Sequence, residues 1–165
     1  MKFSELKGRA VVDVDAAHRI GTLENVIIDP ASHQIMGIKV KPGLFSGSAI
    51  IAMAQVQSIG QDAITVTHTA DMEHQGKDSP LSQLPDMNNV IGLQVVTQGG
   101  KLVGEISDVM LEATTLAITG YEVGTGGLFA KKHELAASPD LNFGARMVVI
   151  PDPIAAQIEA VPPVK

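Results

Sequence analysis

Residues 20–40, IGTLENVIIDPASHQIMGIKV, decide the fold, because a similar stretch recurs 83 residues later as residues 103–123, VGEISDVMLEATTLAITGYEV. The two stretches align without a gap. Both are rich in Val and Ile and are punctuated by Gly, Asp and Asn, which is typical of strands and turns. The match predicts an internal duplication in which each half builds the same strands. The identical pairs are Gly21 with Gly104, Val26 with Val109, Ile35 with Ile118, Gly37 with Gly120, and Val40 with Val123.

A polar stretch between the two copies predicts the domain boundary. Residues 69–81 carry Gly, Pro and charged side chains and have no apolar periodicity, which is typical of a linker. We therefore expect a first unit at 1–68 and a second unit at 82–161.

The apolar runs on either side of this boundary are short, so they predict strands with little helix. Gly37 and Gly120 fall inside strands, where glycine weakens the strand unless a bend or a close backbone approach requires it. A proline at the first helical position predicts a short C-terminal helix at 153–160, with Asp152 as its N-cap. The expected strands are 9–15, 20–29, 34–41, 48–53 and 62–68, followed by 90–97, 102–112, 116–124 and 145–151.

The composition excludes several classes of function but does not identify one. The chain has 165 residues, of which 45% are hydrophobic and only 3% aromatic, so the core must be aliphatic and base-stacking platforms are scarce. The formal charge of −6 argues against direct nucleic-acid binding. The absence of cysteine excludes disulfides and thiol chemistry. No apolar run has the length of a signal sequence or a membrane helix, so we expect a cytoplasmic protein.

The opening stretch SELKGRAVVDVDAAHRIGTLENVIIDPASHQIMGIKV, residues 4–40, resembles the PRC-barrel family. The matching features are the strand ending at 12–15, the motif Ile20–Val26, and the Asp-Pro turn at 29–32. The resemblance implies a mostly β protein made of two tandem small antiparallel β-barrels, packed as a pseudo-symmetric pair with little helix. The second unit departs from the pattern after VGEISDVMLE: it lacks the Asp-Pro turn and a clear closing hairpin. We expect an insert at 131–145, and the pattern leaves open whether the C-terminal helix replaces the last strand.

The resemblance also implies a role in protein–protein docking. Family settings include the cytoplasmic domain of the photosynthetic reaction-centre H subunit and the C-terminal domain of a ribosome maturation factor, and no catalytic residue can be carried over from them. We therefore predict a non-enzymatic adaptor with an unknown protein partner and no cofactor. Homodimerisation and peripheral membrane association through a partner stay open. The alternatives are a ribosome-maturation or RNA-processing accessory factor and a metal- or small-ligand-binding protein.

Candidate site residues come from two loops and the linker. The loops carry Leu44 with Phe45 and Leu128 with Phe129 at matching places. These side chains either insert into a partner or plug their own barrel ends. Lys131 and Lys132 form a basic spot next to the second loop. In the linker region, His68, Asp71 and His74 are metal-ligand types, but their spacing matches no zinc signature, so we predict no metal.

Overall fold

The computed structural model describes residues 1–29, 32–43, 48–67, 80–125 and 131–160, which fold into two six-stranded sheets. Short 3-10 turns lie at Met53–Gln55, Pro80–Gln83 and Met87–Asn89. The helices are α1 (Phe3–Leu6) and α2 (Asp152–Ala160). The strands are β1 (Ala10–Asp13), β2 (His18–Asp29), β3 (Gln34–Lys41), β4 (Ala49–Ala52), β5 (Val56–Ile59), β6 (Ala63–Val66), β7 (Gln94–Thr97), β8 (Leu102–Leu111), β9 (Ile118–Thr125), β10 (Lys131–Ala136), β11 (Asn142–Phe143) and β12 (Met147–Ile150).

The two sheets have the same topology. Their strand orders are β4-β3-β2-β1-β6-β5 in the first unit and β10-β9-β8-β7-β12-β11 in the second unit. Pairs are antiparallel except β1 with β6 and β7 with β12, which are parallel in both units. Within the described residues, hydrogen bonds do not join the edge strands of either sheet into a closed barrel. The predicted β-rich tandem architecture is confirmed.

Strand register repeats along with topology. Val26 pairs with Ile38 in the first unit, and Val109 pairs with Tyr121, 83 residues later, in the second. Both strand pairs shift register at matching places. The β2–β3 pair shifts between Leu23 and Asn25 and between Ile27 and Ile28. The β8–β9 pair shifts between Ile106 and Asp108 and between Met110 and Leu111. The duplication therefore extends to irregularities that strand propensity alone does not specify.

The structure corrects the expected insert at 131–145. These residues hold β10 and β11, the counterparts of β4 and β5, and the spacing between equivalent residues grows only from 83 to 84. The closing hairpin is present too: Gly60 N donates to Ala63 O at 2.9 Å, and Gly144 N donates to Met147 O at 2.8 Å. The second sheet thus has all six strands, and α2 follows its last strand without replacing it. β10 escaped prediction because its sequence KKHELA is charged, as is common for a strand at a sheet edge.

Glycines inside β3 and β9 permit close strand approach, as their mid-strand positions predicted. A Cβ atom on Gly37 would lie 2.7 Å from the carbonyl oxygen of Ile51 on β4. A Cβ atom on Gly120 would lie 2.7 Å from the carbonyl oxygen of Leu135 on β10. Because both contacts are to backbone, a larger residue would have to move a whole strand.

One apolar core runs through both units. Its buried members include Leu23 and Ile64 of the first unit and Ile106 and Ile150 of the second. The core is mainly aliphatic, as the composition predicted. Because the cluster is continuous across the two sheets, the units are held together by shared burial as well as by the chain.

Candidate interaction surfaces

Each unit begins with a leading segment, the residues that precede its sheet. The seam between the units is formed because each leading segment packs on the other unit's sheet. Residues 1–6 precede the first sheet but pack on β8 of the second, and residues 85–90 precede the second sheet but pack on β2 of the first. Leu111 N donates to Met1 O at 2.7 Å, and Ile28 N donates to Pro85 O at 2.9 Å. The exchange follows from strand length. β1 pairs only with the first part of β2, and β7 pairs only with the first part of β8. The leading segment of the opposite unit forms hydrogen bonds with backbone groups along the rest of β2 or β8.

A buried polar side chain anchors each exchanged segment. Asn25 Oδ1 accepts hydrogen bonds from Val26 N at 2.8 Å and from Met87 N at 3.1 Å. At the equivalent place in the second unit, Asp108 Oδ1 accepts from Val109 N at 2.8 Å and from Ser4 N at 3.2 Å. Each side chain therefore satisfies a donor on its own strand and a donor on the segment that arrives from the other unit.

Charges on the two exchanged segments are opposite. Lys2 Nζ lies 2.5 Å from Glu122 Oε2 on β9, and Asp86 Oδ2 lies 2.6 Å from Lys39 Nζ on the equivalent strand β3. In a pair of two first units, Lys2 would face Lys39, and in a pair of two second units Asp86 would face Glu122. The charges thus favour pairing of unlike units over pairing of like units.

Glu122 stays ionised despite being buried. Burial raises the pKa of this carboxyl, but hydrogen bonds from Lys2, Ser107 and Lys132 outweigh burial and lower the pKa below its usual value. Lys132 Nζ lies 3.3 Å from Glu122 Oε1, and the contact with Glu122 raises the pKa of Lys2. The ion pairs are therefore formed at neutral pH.

An aromatic cluster lies where the two units meet. His33 Nδ1 lies 2.5 Å from the Tyr121 hydroxyl, and the rings of His33 and Phe143 are 5.0 Å apart in an edge-to-face arrangement. Burial lowers the pKa of His33 and raises the pKa of Tyr121, so a neutral imidazole and a neutral hydroxyl share this hydrogen bond near pH 7. His33 and its counterpart Leu116 both have positive φ, 56° and 60°. The same turn therefore places a histidine at this position in the first unit and a leucine in the second.

The cavity beside this cluster is too small for a substrate. It has a volume of about 20 Å³ and is lined by His33, Tyr121, Phe143 and apolar side chains of both units. That volume holds about one water molecule, whereas small-molecule sites are usually several hundred Å³.

An exposed apolar patch lies on the outer side of the second sheet. Leu102 pairs with Val96, and Val96 pairs with Val149, so the three side chains form a row across β8, β7 and β12. Met147 lies on the same side, two residues before Val149. Leu102 is 58% exposed and Met147 is 42% exposed. We refer to Val96, Leu102, Met147 and Val149 as the outer face.

The first unit has a more polar surface at the same register. Leu102 corresponds to Arg19, Val149 to Thr65 and Met147 to Ala63; only Val12, the counterpart of Val96, is equally apolar. Because the folds are equivalent, the fold itself does not require apolar residues on the outer face. Large contiguous apolar patches on a protein surface are typical of interaction sites.

Comparison with protein-family models gives two matches to the PRC-barrel domain, at residues 1–73 and 86–157. The chain belongs to the PRC-barrel family. Comparison with curated proteins finds no match. PRC-barrel domains are known from protein-interaction and adaptor modules and are generally non-catalytic. Among the described residues of this tandem PRC-barrel protein, no helix is long and apolar enough to cross a membrane.

The predicted site residues of the PRC-barrel chain are only partly described. Lys131 and Lys132 lie exposed on the edge strand β10, where Lys132 pairs with Glu122 as above. No group of three potential metal ligands occurs in the part of the chain that the structure describes. The loop residues Leu44, Phe45, Leu128 and Phe129 and the linker-region residues His68, Asp71 and His74 lie outside the described residues.

Sequence reasoning missed the outer face of the second PRC barrel, although a signal for it was present. Leu102 aligns with Arg19 at the repeat spacing of 83, so an apolar residue stands where the sister unit has a charge. Comparing the copies for differences would have found this position. The exchange of leading segments had no comparable signal, because it depends on how the sheets pack.

Proposed function

We propose that the protein is a non-enzymatic protein–protein interaction module, in which two PRC barrels form one body that presents docking surfaces. The observation that carries the proposal is the outer face of the second unit. Leu102 and Met147 are exposed there, whereas the first unit has Arg19 and the smaller Ala63 at the same places.

The internal duplication supplies a matched experiment. A bait carrying Leu102→Arg and Met147→Ala has the first unit's residues at the two exposed positions of the second unit's outer face, in a strand geometry that already accepts them. A control bait carries Arg19→Ala on the first unit. Each bait and the unaltered protein would be used to capture partners from the native host, with quantitative mass spectrometry as the readout.

We expect the unaltered protein and the Arg19→Ala bait to capture the same proteins, and the outer-face variant to lose at least one of them. Equal capture by all three baits would refute docking through this face. The proposal extends to the loop residues Leu44, Phe45, Leu128 and Phe129, for which Phe45→Ser and Phe129→Ser baits serve the same purpose. The cytoplasmic location stays a prediction, checked by fractionation of the host cell.

A further inference from the structure

We propose that the seam also forms between two copies of the chain, by unit exchange: the first unit of each copy pairs with the second unit of the other copy. The interaction surface is the seam, and its occupant is the opposite unit of a second copy. The inference concerns a different surface from the outer face and goes beyond the proposed function.

The first argument is that the seam contacts described above do not involve the stretch that joins the units. Residues 1–6 lie on β8, and residues 85–90 lie on β2. The hydrogen bonds of Asn25 and Asp108 anchor these two segments. All of these contacts join residues outside 68–79. A first unit of one copy and a second unit of another copy therefore make the same contacts as the two units of one chain.

The second argument is the apolar surface that a separated unit would expose. Phe3 is 4% exposed, and Leu6 and Met87 are fully buried. All three side chains, which come from the two leading segments, belong to the core that both units share. A unit released from the seam would expose part of this core to water, so pairing with an opposite unit of either copy is favourable.

The third argument is charge, which determines which units pair. Lys2 of the first unit lies against Glu122 of the second. Asp86 of the second unit lies against Lys39 of the first. Pairing of two first units or of two second units would replace these ion pairs with like-charge contacts. Unit exchange between copies keeps both ion pairs, so the charges favour exchange over pairing of like units.

Unit exchange competes with pairing inside one chain. Two binding units joined by a short linker meet at an effective concentration on the order of 1 mM. We therefore expect the unaltered protein to be a monomer at about 10 µM, and the exchanged dimer to reach a comparable population when the protein is refolded at about 1 mM.

Two charge variants bring unit exchange to lower concentrations. Lys2→Glu and Glu122→Lys each create a like-charge contact in the variant's own seam. In an exchanged dimer of one copy of each variant, one seam carries both substitutions and the other carries neither, so both seams contain opposite charges. At about tenfold per seam, the concentration needed for the dimer falls about a hundredfold, to about 10 µM.

The test is to mix the two variants in urea, with one of them isotope-labelled, and to refold them together at about 100 µM. Size-exclusion chromatography with light scattering gives the mass, and native mass spectrometry gives the composition. We expect a heterodimer in the mixture and mostly monomer for either variant refolded alone. Lys2→Glu refolded with the unaltered protein is the matched control. It should give no excess of heterodimer, because one like-charge seam remains whichever units pair.

Cleavage of the joining stretch distinguishes unit exchange from any other dimer. The recognition site of a specific protease is inserted between His74 and Gln75 in both variants. In an exchanged dimer, the two pairs of units are connected only through residues 68–79 of each copy. Cleavage should therefore convert the dimer into particles of monomer size, each with one first and one second unit. A dimer formed through another surface would keep its size.

The otherwise unaltered protein with the same protease site gives an independent measurement. Labelled and unlabelled samples are cut, mixed, unfolded in urea and refolded. We expect every reassembled pair to join a first unit to a second unit, with labelled and unlabelled halves combined at random.

Absence of the heterodimer, a dimer that survives cleavage, or cut halves that fail to reassemble would each overturn unit exchange. None of these results involves the outer face, so the capture experiment decides the proposed function separately.

Discussion

Asn25→Ala is expected to destabilise the seam between the units strongly. The asparagine oxygen accepts from the backbone N–H groups of Val26 and Met87, both at buried residues. Leaving a buried donor unsatisfied costs about 1–3 kcal/mol. With two donors affected, we expect the free energy of unfolding to fall by about 2–5 kcal/mol. This is a large fraction of the roughly 5–15 kcal/mol that holds a typical globular protein in its native state.

The assay is urea unfolding followed by circular dichroism, with a thermal melt in which Tm should fall by about 5–15 °C. The duplication supplies the control, because Asp108 accepts the equivalent two hydrogen bonds through the same oxygen. Asp108→Asn keeps that oxygen and should lose less than about 1 kcal/mol. Asp108→Ala should lose at least as much as Asn25→Ala, because it also removes the acceptor of the Ser4 hydroxyl. A loss below about 1 kcal/mol for Asn25→Ala, or equal losses for Asp108→Asn and Asp108→Ala, would refute the reasoning.

Three further predictions follow from the seam and the sheets. Gly120→Ala should destabilise the second unit by about 1–3 kcal/mol in urea unfolding, because the added Cβ meets a backbone oxygen 2.7 Å away; an unchanged midpoint would contradict the close approach. Burial lowers the pKa of His33 below 6.5 in the folded protein, so the unfolded state binds more protons and stability should fall as the pH drops below about 6.5. His33→Leu, which copies Leu116, should reduce that slope in melts between neutral pH and about pH 5, and an unchanged slope would exclude His33 as the cause. Lys2→Glu should destabilise the protein more at low salt than at high salt, and adding Glu122→Lys should recover most of the loss; a double variant no more stable than the single one would contradict the direct pair.

The two units assemble because β2 and β8 are longer than the strands β1 and β7 that pair with one edge of each. β2 is twelve residues long, but β1 pairs with only its first part. A strand left with unpaired backbone groups is costly when buried and prone to aggregation when exposed. The exchanged segments remove this problem in both units, and Lys2 and Asp86 help to direct each segment to the correct one.

Sequence alone determined the repeat, the β class and the family. These follow from local patterns: short Val- and Ile-rich runs, glycines at a fixed spacing, and a proline at the start of α2 over residues 152–160. The strand and helix signals act within a few residues of the positions they specify, and the repeat is found by comparing the sequence with itself. Both are therefore visible without knowledge of the fold.

Only the tertiary structure decided which surfaces meet. The sequence 131–136 shows no strand pattern, yet it forms β10 because β9 offers an open edge beside it. His33 lies in a turn, where a histidine is ordinarily solvated, but the packing of the two sheets places it against Tyr121. Residues 1–6 precede the first sheet and dock on the second. In all three cases the deciding contact joins parts of the chain that packing brings together. Burial at such contacts depends on the relative position of both sheets, which local sequence does not encode.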